Sequence, residues 1–390
     1  MTVEVEEAPT PPRQSSNGLQ RAVRRYFDLQ PVLVPLAAVF LAFLTGSIVI
    51  LLVGENPLEA YWALIQGMWA PDRIAASLGR STPFIGAALA VAFAFRAGLF
   101  NIGVEGQLLV GATAAAWVGT WAWIADVPGP VAICVVTVAG VVGGMLYGAI
   151  PGALKATTGA HEVITTIMLN AIAVLYVRWL VSSQDPIILR DTNASVPRTS
   201  VLPGSARLPE FVDSQPPLHF SFVIMLALVV LVWFVLQRTT NGFEIRMIGA
   251  NPNAARYAGV NVKRVIVLVM AASGAMAGLA GAGEIAGTHG FLSPGAFVAI
   301  GFDSIAIALL ARANPFAIVP AAILWGSFLA GAPLMQQETG ISIDVVRIVQ
   351  ALILLFVAAD VIVRTIFRIR RSEGGALEEA QLGTTWGATP

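Results

Sequence analysis

The sequence predicts a polytopic all-α membrane protein with about ten transmembrane helices and both termini in the cytoplasm. Its 390 residues are 56% hydrophobic and only 12% charged, whereas a soluble domain carries about 25% charged residues. Several apolar runs reach the roughly 20 residues that cross a hydrocarbon core. A β-barrel is disfavoured, because its spans would be alternating strands of only about ten residues.

Ten apolar runs give the predicted spans. They lie near residues 32–53, 80–97, 101–123, 128–150, 161–182, 218–237, 264–286, 296–312, 314–334 and 346–365. The stretch 80–123 is ambiguous, because the turn at 96–101 joins either two full spans or the halves of one broken helix.

The distribution of Lys and Arg predicts the orientation. With the N-terminus inside, the cytoplasmic segments contain 16 of these cations and the external segments contain 7, as the positive-inside rule requires. Residues 1–30 then form a cytoplasmic tail, in which 19–29 is either an interfacial helix or a positive flank of the first span. Residues 367–390 form a second cytoplasmic tail.

Two loops stand out between the spans. The external loop 183–217 contains six prolines and is expected to form a small cap or to receive a soluble partner. The cytoplasmic loop 238–264 contains a short predicted helix, with Asn251 as N-cap, Pro252 at the first helical position and Gly259 at the end. Arg256 and Tyr257 would face outward, so the segment has the character of a docking helix.

Small residues recur at four-residue spacing in the seventh span, as at Gly274, Gly278 and Ala282. This spacing lets helix backbones approach closely. We expect tight internal packing there, and a moving interface is the alternative.

The segment 100–107 brings polar side chains into the membrane. Asn101 and Glu105, four residues apart, would share one helix face, and Gln107 follows them. A carboxylate in the bilayer must face a partner, water or the bundle interior. These residues are therefore predicted to line a substrate path or a hinge, with a helix–helix polar clamp as the alternative.

A second polar group opens the fifth span. His161 and Glu162 begin it, and Asn170 lies two turns further on. The pair is not a zinc motif, because position 165 is Thr where a helical site would need a second His. His161 is interpreted as a helix-start or interface residue, with a proton relay as the alternative.

Other polar groups lie at the ends of spans seven and eight. Glu284, His289 and Asp303 would line an external mouth or would simply be solvated. The chain has no Walker A motif and only one cysteine, which excludes a nucleotide motor and a disulfide framework within this sequence. We find no Ser-His-Asp or paired-carboxylate pattern for hydrolysis.

Three motifs carry a family resemblance: FNIGVEGQ at 100–107, HEVITTIMLN at 161–170 and RMIGANPNAARYAGV at 246–260. Together they resemble the permease subunits of bacterial ABC importers, in the ribose, simple-sugar and nucleoside branch. The second motif is similar to nucleoside importers that use basic-membrane-protein-type binding lipoproteins. The resemblance covers residues 35–365.

The resemblance implies a non-enzymatic, multi-pass subunit of the bacterial plasma membrane, with 31–366 as its transmembrane permease domain. Its partners would be cytoplasmic ABC ATPases, a second permease that is identical or a paralogue, an external binding lipoprotein and membrane lipid, with no nucleic acid. ATP-Mg would lie on the ATPases, and this chain would bind no cofactor or metal. The cargo would be a nucleoside or a simple sugar.

The resemblance also assigns roles to residues. The family's coupling helix falls on Asn251, Pro252, Ala255, Arg256 and Gly259. The residues predicted for the substrate path are Asn101, Glu105, Gln107, His161, Glu162 and Asn170.

Three other classes compete with this interpretation. An ion-coupled secondary transporter of a small polar solute would need a membrane ion site and no ATPase. An intramembrane enzyme would need paired catalytic residues at one depth. A structural scaffold fits poorly with a buried Glu105.

Overall fold

The computed structural model describes residues 18–297, 299–359 and 366, with side chains described from residue 33 onward. Within these ranges the chain is mostly helical. The α-helices are α1 (Gly18–Val53), α2 (Pro57–Trp69), α3 (Ile74–Arg96), α4 (Val104–Gly119), α5 (Gly129–Thr158), α6 (Glu162–Ser182), α7 (Ser221–Arg238), α8 (Thr240–Ala250), α9 (Pro252–Tyr257), α10 (Val262–Gly283), α11 (Ile300–Leu310), α12 (Pro315–Thr339) and α13 (Asp344–Ala358).

Shorter elements complete the chain. The π-helical turn Glu284–His289 continues α10, and 3₁₀ turns lie at Ala122–Ala125 and Gly204–Ala206. Strands β1 (Glu210–Val212) and β2 (Leu218–His219) pair as a small antiparallel ribbon. The tail residues 1–17 and 367–390 lie outside the described residues, as do the side chains of the predicted interfacial helix 19–29.

The polytopic all-α membrane fold is confirmed. In the described part of the chain, seven helical segments are long and apolar enough to cross a membrane: Leu33–Val53, Ile74–Arg96, Gly129–Thr158, Glu162–Ser182, Ser221–Arg238, Val262–His289 and Pro315–Thr339. The other predicted spans correspond to α4, α11 and α13, which have 16, 11 and 15 residues here. The count of ten spans and the side of each terminus stay predictions.

The stretch 80–123 contains two separate helices, α3 and α4, joined by the turn at 97–103. In the most apolar 18-residue stretch of α3, 83% of the residues are buried, whereas only 22% are buried in the corresponding stretch of α1. Helix α3 contacts α7, α10, α11 and α12, so it is the central helix of the bundle. From Pro83 to Phe95 its alanine-rich sequence is apolar on every face, as a buried helix requires.

The sequence did not predict α2, which interrupts the first external connection. Asn56 caps it by accepting a hydrogen bond from the backbone N–H of Leu58 at 3.0 Å, and Pro57 occupies the first turn. Gly67 packs directly on Gly331 of α12. With only 13 residues, α2 is too short to be recognised as a membrane span. The only sequence signal for this helix is its capping residues.

Helices α5 and α10 pack through glycines. A Cβ on Gly278 would overlap the carbonyl oxygen of Gly140, and a Cβ on Gly274 would overlap that of Gly144. The tight packing predicted from the four-residue spacing is confirmed. Whether the two helices slide against each other stays open to experiment.

The loop 183–217, which the sequence predicts to be external, packs on the end of α10. Three of its backbone N–H groups donate hydrogen bonds of 2.8–2.9 Å to carbonyls of 286–292, in the pairs Thr199–Leu292, Leu202–Gly290 and Leu208–Ala286. The loop therefore forms a small cap, which is one of the two expected arrangements.

His219, at the end of β2, secures the cap beside Gly287. The ring fills the space where a Gly287 side chain would lie, and Nε2 is 3.1 Å from Thr288 Oγ1. Burial, assisted by the nearby Arg207 guanidinium, lowers the pKa of His219 to about 4. The imidazole is therefore neutral at pH 7 and packs without bringing a charge into the contact.

We expect Gly144→Ala to lower the free energy of unfolding by about 1–3 kcal/mol, because the new Cβ would overlap the Gly274 carbonyl oxygen. Gly129→Ala, at the start of the same helix, is the matched control, since its Cβ would lie an ordinary 3.5 Å from the nearest atom. Thermal unfolding of the purified protein in detergent measures both. Equal melting temperatures for the two variants would contradict the packing described here.

Candidate functional site

A buried polar network surrounds the start of α4. Asn101 lies just before the helix, and its Oδ1 accepts a hydrogen bond from the N–H of Gly103 at 2.9 Å. Its Nδ2 donates to Gln107 Oε1 at 2.9 Å and to Ser273 Oγ of α10 at 2.8 Å. Since Asn101 precedes the helix, the expectation that it shares a helix face with Glu105 is wrong. The network joins α4 to α10.

Asn170 reaches the same helix start from α6. Its Oδ1 accepts from the N–H of Gly106 at 2.8 Å, and its Nδ2 donates to the carbonyl oxygen of Ile102 at 2.9 Å. The side chain is 4% exposed. One amide group therefore satisfies a donor and an acceptor that the helix start leaves unpaired, and it fixes α6 against α4.

Glu105 joins α4 to α11. Its carboxylate accepts hydrogen bonds from the N–H of Ala299 at 2.9 Å and of Gly301 at 2.6 Å. These N–H groups begin α11, where the helix dipole favours a negative charge. The backbone just before it is strained, because Phe297 and Ala299 both have positive φ, at 64° and 74°. The carboxylate therefore caps a neighbouring helix across the bundle.

His161 and Glu162 lie at the turn between α5 and α6. Glu162 is buried and pairs with Lys155 of α5. His161 occupies the N-cap position of α6, and its Nδ1 is 3.9 Å from Glu162 Oε2. This arrangement agrees with the interpretation of His161 as a helix-start residue. Among the described residues, no group of three His, Cys, Asp or Glu side chains is placed to hold a metal ion.

A cavity of about 990 Å³ lies elsewhere, where the starts of α3, α11 and α13 meet the end of α10 and the middle of α12. These helix ends belong to the side that the charge distribution predicts to be external. Glu284, His289 and Asp303, expected at an external mouth, all line the cavity. The six residues predicted for the substrate path do not line it, and their role stays a prediction.

The charges in the cavity are balanced. Arg80 interacts with Glu284, and Arg347 interacts with Asp303. His289 Nδ1 is 3.6 Å from Glu284 Oε2. Two cations thus face two carboxylates, so the cavity as a whole attracts neither anions nor cations strongly.

Aromatic rings form much of the remaining wall. Phe84, Phe297 and Trp325 are largely buried and line the cavity, and Phe302 lies at its exposed rim. Such a mixture of aromatic faces and a few polar groups is typical of small-molecule sites. The arrangement suits a neutral solute that carries both a flat apolar face and hydrogen-bonding groups.

The capped helix predicted in the loop 238–264 is confirmed as α9. Asn251 Oδ1 accepts hydrogen bonds from the N–H groups of Asn253 at 3.0 Å and Ala254 at 3.1 Å. Ala255 is fully buried, whereas Tyr257 is 94% exposed. The helix is therefore anchored on one side and exposed on the other.

Sequence reasoning missed several features near these sites. Helix α8 precedes α9 and is capped by Thr239, which accepts from the N–H of Gly242 at 3.1 Å. In the cavity it missed Arg80, Trp325 and Gln350, which come from three helices far apart in the chain. The available signal was a polar or amphipathic side chain within an apolar run, as for Gln350 in α13.

Comparison with known proteins agrees with these features. A family model described as the permease component of the branched-chain amino acid transport system matches residues 73–358. The guanosine ABC transporter permease protein NupP of Bacillus subtilis is 40% identical over 352 residues, which is 89% of this chain and 98% of NupP. No solved structure matches the chain.

Two further relatives have different named cargoes. The nucleoside ABC transporter permease protein NupB of Lactococcus lactis is 36% identical over 85% of this chain and 92% of its own length. The glucose ABC transporter permease protein TsgB13 of Haloferax volcanii is 31% identical over 83% and 86%, respectively. ABC permeases in general work with ATPase and substrate-binding partners. The chain, a multi-pass plasma-membrane protein, therefore belongs to this permease family and is a permease subunit of an ABC importer.

Proposed function

We propose that this permease imports a nucleoside, which an external binding lipoprotein delivers and cytoplasmic ATPases energise. The observation that carries the assignment is the 40% identity to a guanosine permease over 98% of that protein's length. A second nucleoside permease follows at 36% identity. A simple sugar is the second candidate, because a glucose permease is 31% identical over most of the chain.

The cavity between α3, α10, α11, α12 and α13 supports a neutral, flat cargo. Its volume of about 990 Å³ lies at the upper end of the range for small-molecule sites. Its balanced charges disfavour a phosphorylated solute, and its aromatic walls offer stacking faces for a base. We therefore assign the cavity to the translocation path, which this chain shares with a second permease, either a copy or a paralogue.

Helix α9 is the proposed contact with the ATPase. A helix that transmits force between subunits must be rigid. The Asn251 cap and the buried Ala255 make α9 rigid. The exposed Arg256 would meet an acidic surface or a helix C-terminus of the ATPase. ATP and Mg²⁺ then bind to the ATPase, and this chain contributes no catalytic residue.

The polar network at the start of α4 acts on the path through α11. Glu105 holds the first turn of α11, and that turn continues into Asp303 at the cavity wall. Asn101, Gln107 and Asn170 hold the start of α4 itself. We assign these residues to the path as groups that set its shape.

Uptake into proteoliposomes tests the cargo. Vesicles would contain the complete importer with ATP inside and the binding protein outside. We expect uptake of radiolabelled guanosine that requires ATP and that excess glucose does not inhibit. Uptake of glucose without uptake of nucleosides would establish the sugar candidate. Uptake driven by a proton or sodium gradient without ATP would identify a secondary transporter.

We expect Arg256→Glu to uncouple ATP hydrolysis from transport. Reversing a charge at a docking surface should lower the uptake rate by about 10-fold, while the amount of protein in the membrane stays unchanged. Lys263→Glu, an exposed charge reversal at the start of α10, is the control and should have a smaller effect. Unchanged uptake and unchanged ATPase stimulation in Arg256→Glu would remove this residue from coupling.

We expect Glu105→Ala to lower the maximal uptake rate more than it changes the half-saturation concentration, because α11 would lose the group that fixes its start. The change also leaves the buried N–H of Gly301 unpaired, at about 1–3 kcal/mol, and the partly buried N–H of Ala299 loses its acceptor as well. Uptake kinetics and thermal unfolding would be measured together. If destabilisation of the purified complex is the main effect, the residue is a structural clamp. Glu55→Ala, an exposed carboxylate, controls for the loss of charge.

A further inference from the structure

Three polar side chains meet at one end of the cavity, and the transport function proposed above leaves them without a role. Asp303 comes from α11, Trp325 from α12 and Gln350 from α13, and all three line the cavity. Trp325 and Gln350 are only 3% and 4% exposed. They therefore form the deep end of the cavity, below the exposed Arg80 and Arg347 at its rim.

The indole N–H of Trp325 is buried and donates no hydrogen bond to any acceptor in the described ranges. Buried donors without a partner are rare in folded proteins. The Asp303 carboxylate lies beside this indole as a weak hydrogen-bonding neighbour, but the pair falls outside good hydrogen-bond geometry. An acceptor atom of a bound solute would satisfy this donor.

Gln350 contacts the backbone of Trp325. Its Nε2 donates a long hydrogen bond of 3.5 Å to the backbone carbonyl oxygen of Trp325. This bond joins α13 to α12, whereas Trp325 and Asp303 present groups to the cavity. Trp325 can only donate a hydrogen bond, and an ionised carboxylate can only accept one.

The Trp325 N–H donor lies beside the two acceptor oxygens of the Asp303 carboxylate. This pair selects for a particular pattern of donors and acceptors along one edge of the solute. The edge must present a carbonyl oxygen next to an N–H group, as the lactam edges of a 6-oxopurine and of uracil do, and guanine adds a second N–H for the second carboxylate oxygen. Adenine lacks that carbonyl and presents an unprotonated ring nitrogen beside its amine. A sugar diol also offers donors and acceptors, but the aromatic walls at Phe84 and Phe297 favour a flat ring.

We propose that Trp325 and Asp303 form a subsite for the lactam edge of a 6-oxopurine nucleoside, such as guanosine or inosine. Trp325 Nε1–H donates to the O6 carbonyl, and the Asp303 carboxylate accepts from N1–H and, in guanosine, from the exocyclic amine. The inference rests on the proposed nucleoside function and makes the permease itself selective. Guanosine, which offers one more donor, binds better than inosine, and adenosine binds least.

Maximal transport rates test the subsite. The complete importer would be reconstituted with ATP inside and with saturating, separately loaded binding protein, so that rates report the permease step. We expect wild type to carry guanosine and inosine faster than adenosine. Trp325→Phe keeps the ring but removes the donor, and it should lower both 6-oxopurine rates about 5-fold while the adenosine rate stays unchanged.

Asp303→Asn gives a result that a purely structural role would not. An amide offers one donor and one acceptor, which is the pattern that suits adenine. We expect the guanosine-to-adenosine rate ratio to fall about 10-fold. Trp179→Phe, whose ring is 53% exposed on α6, is the matched control for loss of an indole and should leave every rate unchanged.

The remaining outcomes separate two failures. Equal losses for all three nucleosides in Trp325→Phe and Asp303→Asn, or no change in either, would overturn the subsite and leave nucleoside transport intact. Transport of glucose but no nucleoside by wild type would overturn the proposed function and the subsite with it.

Discussion

The contact between the Glu105 carboxylate and the first N–H groups of α11 is the interaction on which the cavity depends. Helix α11 has only 11 residues and starts directly after a left-handed Ala299. Its first donors would be unpaired without the carboxylate. The close approach also requires Gly301, because a Cβ there would overlap the backbone of Glu105. The buried Glu105 carboxylate and the missing side chain of Gly301 together fix α11, and α11 brings Asp303 to the cavity wall.

The same eight-residue segment, 100–107, connects α4 to three other helices. Asn101 reaches Ser273 of α10, Gly106 receives Asn170 of α6, and Glu105 reaches α11. Apolar packing between membrane helices has no direction, whereas these hydrogen bonds specify one arrangement. Glycine contacts between α4 and α10, at Gly111 on Gly278 and at Gly281 on Leu108, bring α10 close enough for Ser273 to take part. Polar bonds set the register of the bundle, and small residues set its spacing.

Local chemistry was enough to predict the capped helix at 251–257 and the glycine packing of the seventh span, because each depends on residues within a few turns. The sequence predicts that Glu105 faces a partner, water or the bundle interior, but its partner is the backbone of 299–301, which no side-chain pattern reveals. The cavity was only partly predictable. Glu284, His289 and Asp303 lie at span ends and were visible as polar, whereas Trp325 lies in mid-helix and becomes notable only when three helices meet.

Few residues separate α9, the proposed coupling helix, from the helical segment that reaches the cavity. Only residues 258–261 separate α9 from α10, and Asn261 caps the start of α10 by accepting from the N–H of Arg264 at 3.1 Å. The helical segment then runs unbroken through Val262–His289, 28 residues, or about 42 Å at 1.5 Å per residue. Its far end carries Glu284 and His289 into the cavity. In the coupling proposed above, a rigid rod of this length would transmit a displacement of α9 to the cavity wall. The π-helical turn at its end, with its looser hydrogen bonding, would let that wall change shape.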